Sequence, residues 1–163
     1  MRTWMKIACV LLVLAPAVQA DDKKMDMGKK GAISVNPADL QWGPAPPDLP
    51  KGAELAVVRG DPMKPGQFAL RLKMPDAYKI PPHWHTHDEE LTIISGTLVL
   101  HMGDSMTAEA HNLTQGAYHF LPGKMHHAAE AKGETIVQIT GTGPFDIHYL
   151  NPADNPNPKT ATR

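Results

Sequence analysis

Short stretches in which apolar and polar residues alternate recur from residue 54 to residue 150, with turn residues between them. The clearest is QFALRLKMP at residues 67–75, where every second side chain is apolar. Successive side chains of a β-strand point to opposite faces, so this period of two predicts a strand that buries one face. The apolar positions of this strand are Phe68, Leu70, Leu72 and Met74.

Seven further runs of this kind can be read along the chain. They are AELAVVRG, ELTIISGTLVLHMGD (read as two strands folded at Ser95-Gly96), MTAEAHNL, GAYHFLP, HHAAEA, ETIVQITG and PFDIHYL. No run has the length and period of a strong amphipathic helix. Many short strands with turns between them predict an all-β sandwich or barrel, and 163 residues suffice for one such domain.

The N-terminus predicts export. Residues 1–20 begin with Arg2 and Lys6, continue through an apolar run, and end on small residues up to Ala20. This is the layout of a secretory signal peptide cleaved after Ala20, and the apolar run is shorter than the ~20 residues of a membrane-spanning helix. We therefore expect a periplasmic or secreted protein with no membrane attachment after cleavage.

The flanks differ in composition from the strand-rich part. Residues 21–50 are charged and then proline-rich, and they predict a flexible, extended N-terminal arm that Trp42 clips onto the domain. Residues 51–150 form the expected barrel, and the Pro/Asn-rich residues 151–163 are predicted to be a disordered tail. A net charge of −1 gives no reason to expect nucleic-acid binding.

Candidate chemistry concentrates in PPHWHTHDEE at residues 81–90. His83 and His85 lie two residues apart, so in a strand their imidazoles share a face. Glu89 has the same parity and can return to that face if the strand bends. The sole cysteine is Cys9, inside the predicted signal peptide, so any metal must be held by nitrogen and oxygen.

These three side chains would form an incomplete coordination shell, which needs a ligand from elsewhere in the chain. The segment GAYHFLPGKMHHAAE offers His126 and His127 after a strand and a turn. The spacing does not show whether the two segments meet, and a solvated charge run or a flexible histidine tract remains the alternative.

The two segments resemble the two motifs of the cupin superfamily. The first motif is His-x-His, three or four residues, Glu, six residues, Gly, and it matches the run from His83 to Gly96. The second is Gly, five residues, Pro-x-Gly, two residues, His, and it matches the run from Gly116 to His127. Lys124 stands where the second motif has its last glycine. The sequence is also similar to small single-domain bacterial cupins of unassigned function.

The resemblance implies a cupin-type jelly-roll β-barrel that holds one divalent transition metal (Fe, Mn, Zn, Ni or Cu). By position in the motifs, the ligands would be His83, His85, Glu89 and His127. Neighbours of the ligands would be His87, Asp88 and His126, of which Asp88 could orient a ligand histidine. His119 and Tyr118 are the candidates for proton transfer.

Two main classes of function stay open at this point, beside a structural protein stabilised by a metal with a closed coordination shell. One is a metal-dependent enzyme of dioxygenase or isomerase type that acts on a small organic molecule. The other is a non-catalytic module that binds or senses a metal or a small ligand. A homodimer is a further expectation, because cupins frequently pair and the strand edges are rich in apolar residues.

Overall fold

The computed structural model describes residues 31–158. The expected signal peptide, residues 21–30 of the expected arm and residues 159–163 of the tail therefore lie outside the described residues. Within residues 31–158 the protein is all-β, as predicted, with two single-turn 3-10 helices at Pro37–Asp39 and Pro152–Asp154. In this part of the chain no helix is long and apolar enough to cross a membrane.

Nine strands make up the described fold. In chain order they are β1 (Gly43–Pro44), β2 (Glu54–Arg59), β3 (Gly66–Met74), β4 (Lys79–Trp84), β5 (Glu89–Met102), β6 (Ala110–Thr114), β7 (Tyr118–Leu121), β8 (His127–Gly143) and β9 (His148–Tyr149).

The two longest strands connect two layers. The first half of β5 pairs with β7 and with the second half of β8, which also pairs with β3. The second half of β5 pairs with β6 and with the first half of β8, which also pairs with β4. Each long strand therefore contributes one half to each layer. The strand order does not close into a ring within the described residues.

Strand β5 differs from the sequence prediction. We expected two strands folded at Ser95-Gly96, but residues 89–102 form one strand with shifts of register around Ser95. The physical reason is Gly96, which has a φ of +78° and lies against the backbone of β8. A residue in this conformation lets the strand bend without ending it. Similarly, the predicted strands HHAAEA and ETIVQITG are parts of one strand, β8.

The apolar face of β3 lies in the core, as the alternation of its residues predicts. Burial of the two inner faces produces one cluster of apolar side chains, to which β3, β5 and β8 contribute most. Among its fully enclosed members are Met74, Ile93, Leu98, Leu100 and Val137. Burying each such side chain favours folding by about 1.5–3 kcal/mol, so this cluster provides a rigid base for groups at its edge.

The described part of the arm is fixed to the sheet. Strand β1 pairs with the start of β2, and the Lys73 ammonium lies 4.7 Å from the centre of the Trp42 ring. The Tyr78 hydroxyl donates to the carbonyl of Pro50 at 2.5 Å, and burial raises the pKa of that hydroxyl to about 12. These polar anchors and the ammonium–indole contact hold residues 42–50 against the sheet.

The described part of the tail also has defined contacts. The 3-10 helix at Pro152–Asp154 begins with an Asn151 cap, and the Asn157 side chain donates to the Asp48 carboxylate at 3.1 Å. The Tyr149 hydroxyl donates to the carbonyl of Asp48 at 2.7 Å. Tyr149 and Asn157 thus connect the end of the described chain to Asp48 in the arm.

Candidate metal centre

Three histidines meet between the two layers. His83 lies on β4 and His127 opens β8, and the two are direct partners in the register of these strands. His85 follows β4 by one residue. One ring nitrogen of each histidine lies within 4.8 Å of those of the other two, and all three side chains are buried.

Backbone carbonyls fix the tautomer of all three rings. A carbonyl oxygen can only accept a hydrogen bond, so a ring nitrogen beside it must carry the proton. The acceptors of the Nδ1–H groups are Pro81 for His83 (2.7 Å), Asp146 for His85 and Met125 for His127 (3.0 Å). In the neutral rings each Nε2 therefore has a free lone pair, which is the state that binds a metal ion.

Glu89 brings a carboxylate to the same point from the other layer. Its Oε2 lies 3.5 Å from Nε2 of His85 and 3.4 Å from Nε2 of His127. This oxygen is buried and has no hydrogen-bond partner among residues 31–158. A buried carboxylate oxygen without a partner is costly, and its position 3.4–3.5 Å from two imidazole nitrogens fits a site that could hold a cation.

The protonation states suit a metal ion. Burial, reinforced by the neighbouring His127 and His85 rings, holds the pKa of His83 well below its usual range. Three imidazole nitrogens and one carboxylate fit a divalent first-row transition metal.

Replacement of Glu89 tests whether this carboxylate is placed for a cation. We expect Glu89→Gln to weaken metal binding by about 10-fold or more. Loss of a residue that only supports a metal ligand costs about 10–100-fold in affinity, and loss of a direct ligand should cost at least as much. The same change should stabilise the metal-free protein by about 1–3 kcal/mol, because the amide can donate to an imidazole Nε2 where the carboxylate oxygen has no partner. Urea denaturation in EDTA measures the second effect.

Glu90→Gln is the matched control for this experiment. Glu90 is the next residue, exposed, and accepts a hydrogen bond from Thr140 at 3.1 Å. The Glu90→Gln substitution should leave the metal affinity unchanged. Equal metal-free stability of Glu89→Gln and the parent protein would contradict the placement argued for Glu89.

The predicted neighbours of the ligands lie elsewhere. His87 is exposed and lines a cavity of about 520 Å³ that contains none of the four candidate ligands. Asp88 accepts a hydrogen bond from the Gly123 amide at 2.8 Å, and His126 pairs with Asp104 at 2.6 Å. Asp88 therefore does not orient a ligand histidine as expected, because main-chain carbonyls occupy that position on all three rings.

The departure from the second motif has a structural explanation. Lys124, at the position of the motif glycine, has a φ of +65°, in the left-handed region that glycine favours. Its amide donates to the carbonyl of His85 at 2.8 Å. The backbone turn before His127 is thus kept, although Lys124 has a side chain where the motif has glycine.

The two candidates for proton transfer point in opposite directions. His119 is the register partner of Leu91, which is buried on the same face of β5 as Glu89. Burial and the nearby His111 and His127 rings lower the pKa of His119. Tyr118 is 58% exposed on the opposite face of β7, so it does not face the candidate ligands.

The C-terminal residues that surround His85 are not among the site residues predicted from the sequence. The Phe145 ring stacks on the His85 ring, with centroids 4.4 Å apart and planes inclined by 19°. Asp146 accepts the Nδ1–H of His85 and also binds Thr86 and His148. The segment PFDIHYL showed only a strand-like pattern, and its Asp-x-His spacing was the one signal that polar residues share a face.

Comparison with solved structures gives the class of the fold. The polyketide cyclase RemF from Streptomyces resistomycificus superposes with a TM-score of 0.61 at 14% identity, covering 81% of this chain and 94% of that one. An RmlC-like cupin from Shewanella frigidimarina gives 0.54 at 14% identity, with 69% and 91% covered. A variant of salicylate 1,2-dioxygenase from Pseudoaminobacter salicylatoxidans gives 0.51 at 10% identity, with 61% and 30% covered. At these identities the likeness concerns the fold, and that fold is the cupin fold.

The family follows from the sequence itself. Residues 4–148 match the family described as a domain of unknown function, DUF4437, and this chain belongs to it. No curated protein matches the sequence.

Proposed function

We propose that this protein binds one divalent transition metal through His83, His85, Glu89 and His127 and uses it as a metal-dependent enzyme on a small organic molecule, in a reaction of dioxygenase or isomerase type. The two layers would then be the halves of a jelly-roll β-barrel with the metal at its centre. The observation that carries the proposal is the buried Oε2 of Glu89, which lacks a hydrogen bond and faces the imidazole Nε2 atoms.

The chain's own residues have separable roles in this proposal. The four ligands leave about two positions on an octahedral ion for a substrate or oxygen, and the ion would supply Lewis acidity or redox chemistry there. Phe145 covers one face of the His85 ring and excludes water from that side. The carbonyl acceptors hold the imidazoles in the orientation that binding requires.

His119 is the residue proposed to transfer a proton. It lies on the inner face of β7, and no hydrogen bond from its ring to the described part of the protein competes for its nitrogens. The ring of His111 lies 5.7 Å from it, centroid to centroid. An imidazole with a lowered pKa is neutral near pH 7 and can accept a proton from a bound substrate.

A non-catalytic binding or sensing module is the second candidate. It is favoured by the surroundings of the ligand histidines, whose Nδ1 atoms are bonded to main-chain carbonyls rather than to titratable side chains. Such surroundings hold a metal without providing a proton relay next to it.

One experiment separates these candidates. The protein is purified from its native source without nickel resin, its metal content is measured, and oxygen uptake and product formation are followed over a panel of small hydroxy acids, keto acids and diketones. Turnover that disappears in the His83→Ala/His127→Ala double variant supports the enzyme. Bound metal without turnover on any compound supports the binding module.

Replacement of His119 tests its proposed role once a substrate is found. We expect His119→Gln to lower kcat by about 10²–10⁴-fold, the usual contribution of a proton-transfer group, with the metal content unchanged. Tyr118→Phe is the matched control on the adjacent, outward-facing position and should keep full activity. An unchanged kcat in His119→Gln would remove His119 from the reaction.

Export and pairing complete the proposal. Export is supported by the pattern of residues 1–20, and an N-terminus at Asp21 in protein from the periplasm or medium would test it. A homodimer is supported by β7, which within the described part of the chain pairs only with β5 and exposes Tyr118 and Phe120. Light scattering of the purified protein measures its oligomeric state.

A further inference from the structure

The three candidate imidazole ligands differ in how their orientation is secured. The carbonyls that accept from His83 and His127 belong to residues two positions earlier in the same segment. Their geometry is therefore local and follows from the conformation of that segment. The carbonyl that accepts from His85 belongs to Asp146, 61 residues away. The orientation of His85 thus depends on a tertiary contact.

That contact is made by residues 144–149, here termed the C-terminal strap, which follow β8 and include β9. The two ends of the strap are fixed by backbone hydrogen bonds. The Phe145 amide donates to Pro62 at 2.7 Å, and the amide of Leu150, the residue after the strap, donates to Pro82 at 3.0 Å. Between these points the strap crosses His85.

The Asp146 side chain fixes the middle of the strap to the residue after His85. Its carboxylate accepts from the Thr86 amide at 2.8 Å and from the Thr86 hydroxyl at 2.5 Å. His148 Nε2 is the third donor to this carboxylate, at 2.9 Å. One residue therefore binds the His85 ring through its carbonyl and the adjacent backbone through its carboxylate.

Ring stacking restrains the same assembly. Phe145 stacks on His85 and in turn contacts Phe68 from the core, with ring centres 5.0 Å apart. The Trp84 ring stacks on His148 at 4.0 Å with planes 15° apart. The imidazole of His85 can thus rotate only if the strap moves with it.

We propose that Asp146 is the positioning residue for His85, and that its carboxylate, through Thr86, sets the affinity and the coordination geometry of the metal centre. This inference rests on the proposed metal site. Removing the carboxylate leaves the Asp146 carbonyl in the chain but frees the strap to shift relative to Thr86. The imidazole would then lose its fixed direction toward the other ligands.

The test is a titration of the metal-free full chain with Co²⁺, followed by its visible absorption spectrum, which reports the ligand geometry. Asp146→Ala and Thr86→Val are expected to bind Co²⁺ about 10–100-fold more weakly, the usual effect of losing an outer-sphere partner, and to show an altered spectrum. Thr86→Ser keeps the hydroxyl and should retain the parent affinity and spectrum.

Asp76→Ala is the matched control. The Asp76 carboxylate also accepts from a distant backbone amide, that of Gly133, at 2.7 Å. Thermal denaturation of each metal-free variant shows how much general stability was lost. If Asp76→Ala and Asp146→Ala lose similar stability and only Asp146→Ala changes the Co²⁺ affinity and spectrum, positioning is supported.

Two results would overturn the inference. One is parent-like Co²⁺ affinity with an unchanged spectrum in Asp146→Ala and Thr86→Val. The other is an equal loss of affinity in Asp76→Ala, which would mean that general destabilisation is the cause. Failure of the underlying metal site looks different, because the parent protein itself would then not bind Co²⁺, or would bind it equally well after His127→Ala.

Discussion

Replacement of His127 with alanine is expected to weaken metal binding by more than about 100-fold, because loss of a direct ligand exceeds the range for outer-sphere partners. His127 is the register partner of His83 and the proposed ligand at the start of β8. Its Nε2 lies 3.4 Å from Oε2 of Glu89. A competition titration with a chromogenic chelator measures the affinity of each variant.

The adjacent histidine provides the matched control. His126 is partly exposed, and its Nδ1 pairs with Asp104 rather than with the candidate ligands. His126→Ala should therefore bind metal as the parent does. Equal losses in the two variants would show that metal binds to the histidine-rich segment as a whole, and not to the buried centre.

Replacement of Gly96 with alanine is expected to destabilise the protein by about 3 kcal/mol or more, a large effect for one methyl group. Gly96 has a φ of +78°, which costs a residue with a Cβ about 1–2 kcal/mol. A Cβ at this position would also lie 2.4 Å from the carbonyl oxygen of Glu134 and 2.6 Å from Oγ1 of Thr135. The bend of β5 and its pairing with β8 would have to shift. Urea denaturation gives the change in free energy of unfolding.

Gly116 separates the two contributions. It also has a positive φ, +84°, but nothing lies within 4 Å of a Cβ placed there. Gly116→Ala should therefore cost only the conformational part, about 1–2 kcal/mol. If both alanine variants lost the same stability, close packing at Gly96 would not contribute.

The pattern of the sequence predicted the type of element well and the extent of the long strands poorly. The alternation in β3 identifies Phe68 and Leu70 as inward residues, and both are buried. Strands β5 and β8 were each divided at glycines, because a glycine with turn-like neighbours usually ends a strand. Here the glycines bend the strands, since the partner strand continues the ladder on both sides of the bend.

The spacing of residues in the sequence predicted only part of the candidate site. The period of two along a strand placed His83 and His85 on one face and allowed Glu89 to return to it, and the resemblance to the cupin motifs selected His127 over His126 as the fourth ligand. The structure brings these four together, with Glu89 at the start of a different strand from His83. Asp146 was not identified, because a main-chain acceptor 61 residues away leaves no residue-type signal in the sequence.

The sequence by itself determined the all-β class and the inward side of the strands, since both follow from local alternation. The two motifs that resemble those of the cupins also indicated which residues are candidate metal ligands. Only the tertiary structure decided that β5 and β8 each span two layers, and that Oε2 of Glu89 lies beside His85 and His127 without a hydrogen bond from the described residues. It also decided that Asp146 secures His85. These features depend on contacts between residues far apart in the chain, which a local pattern does not encode.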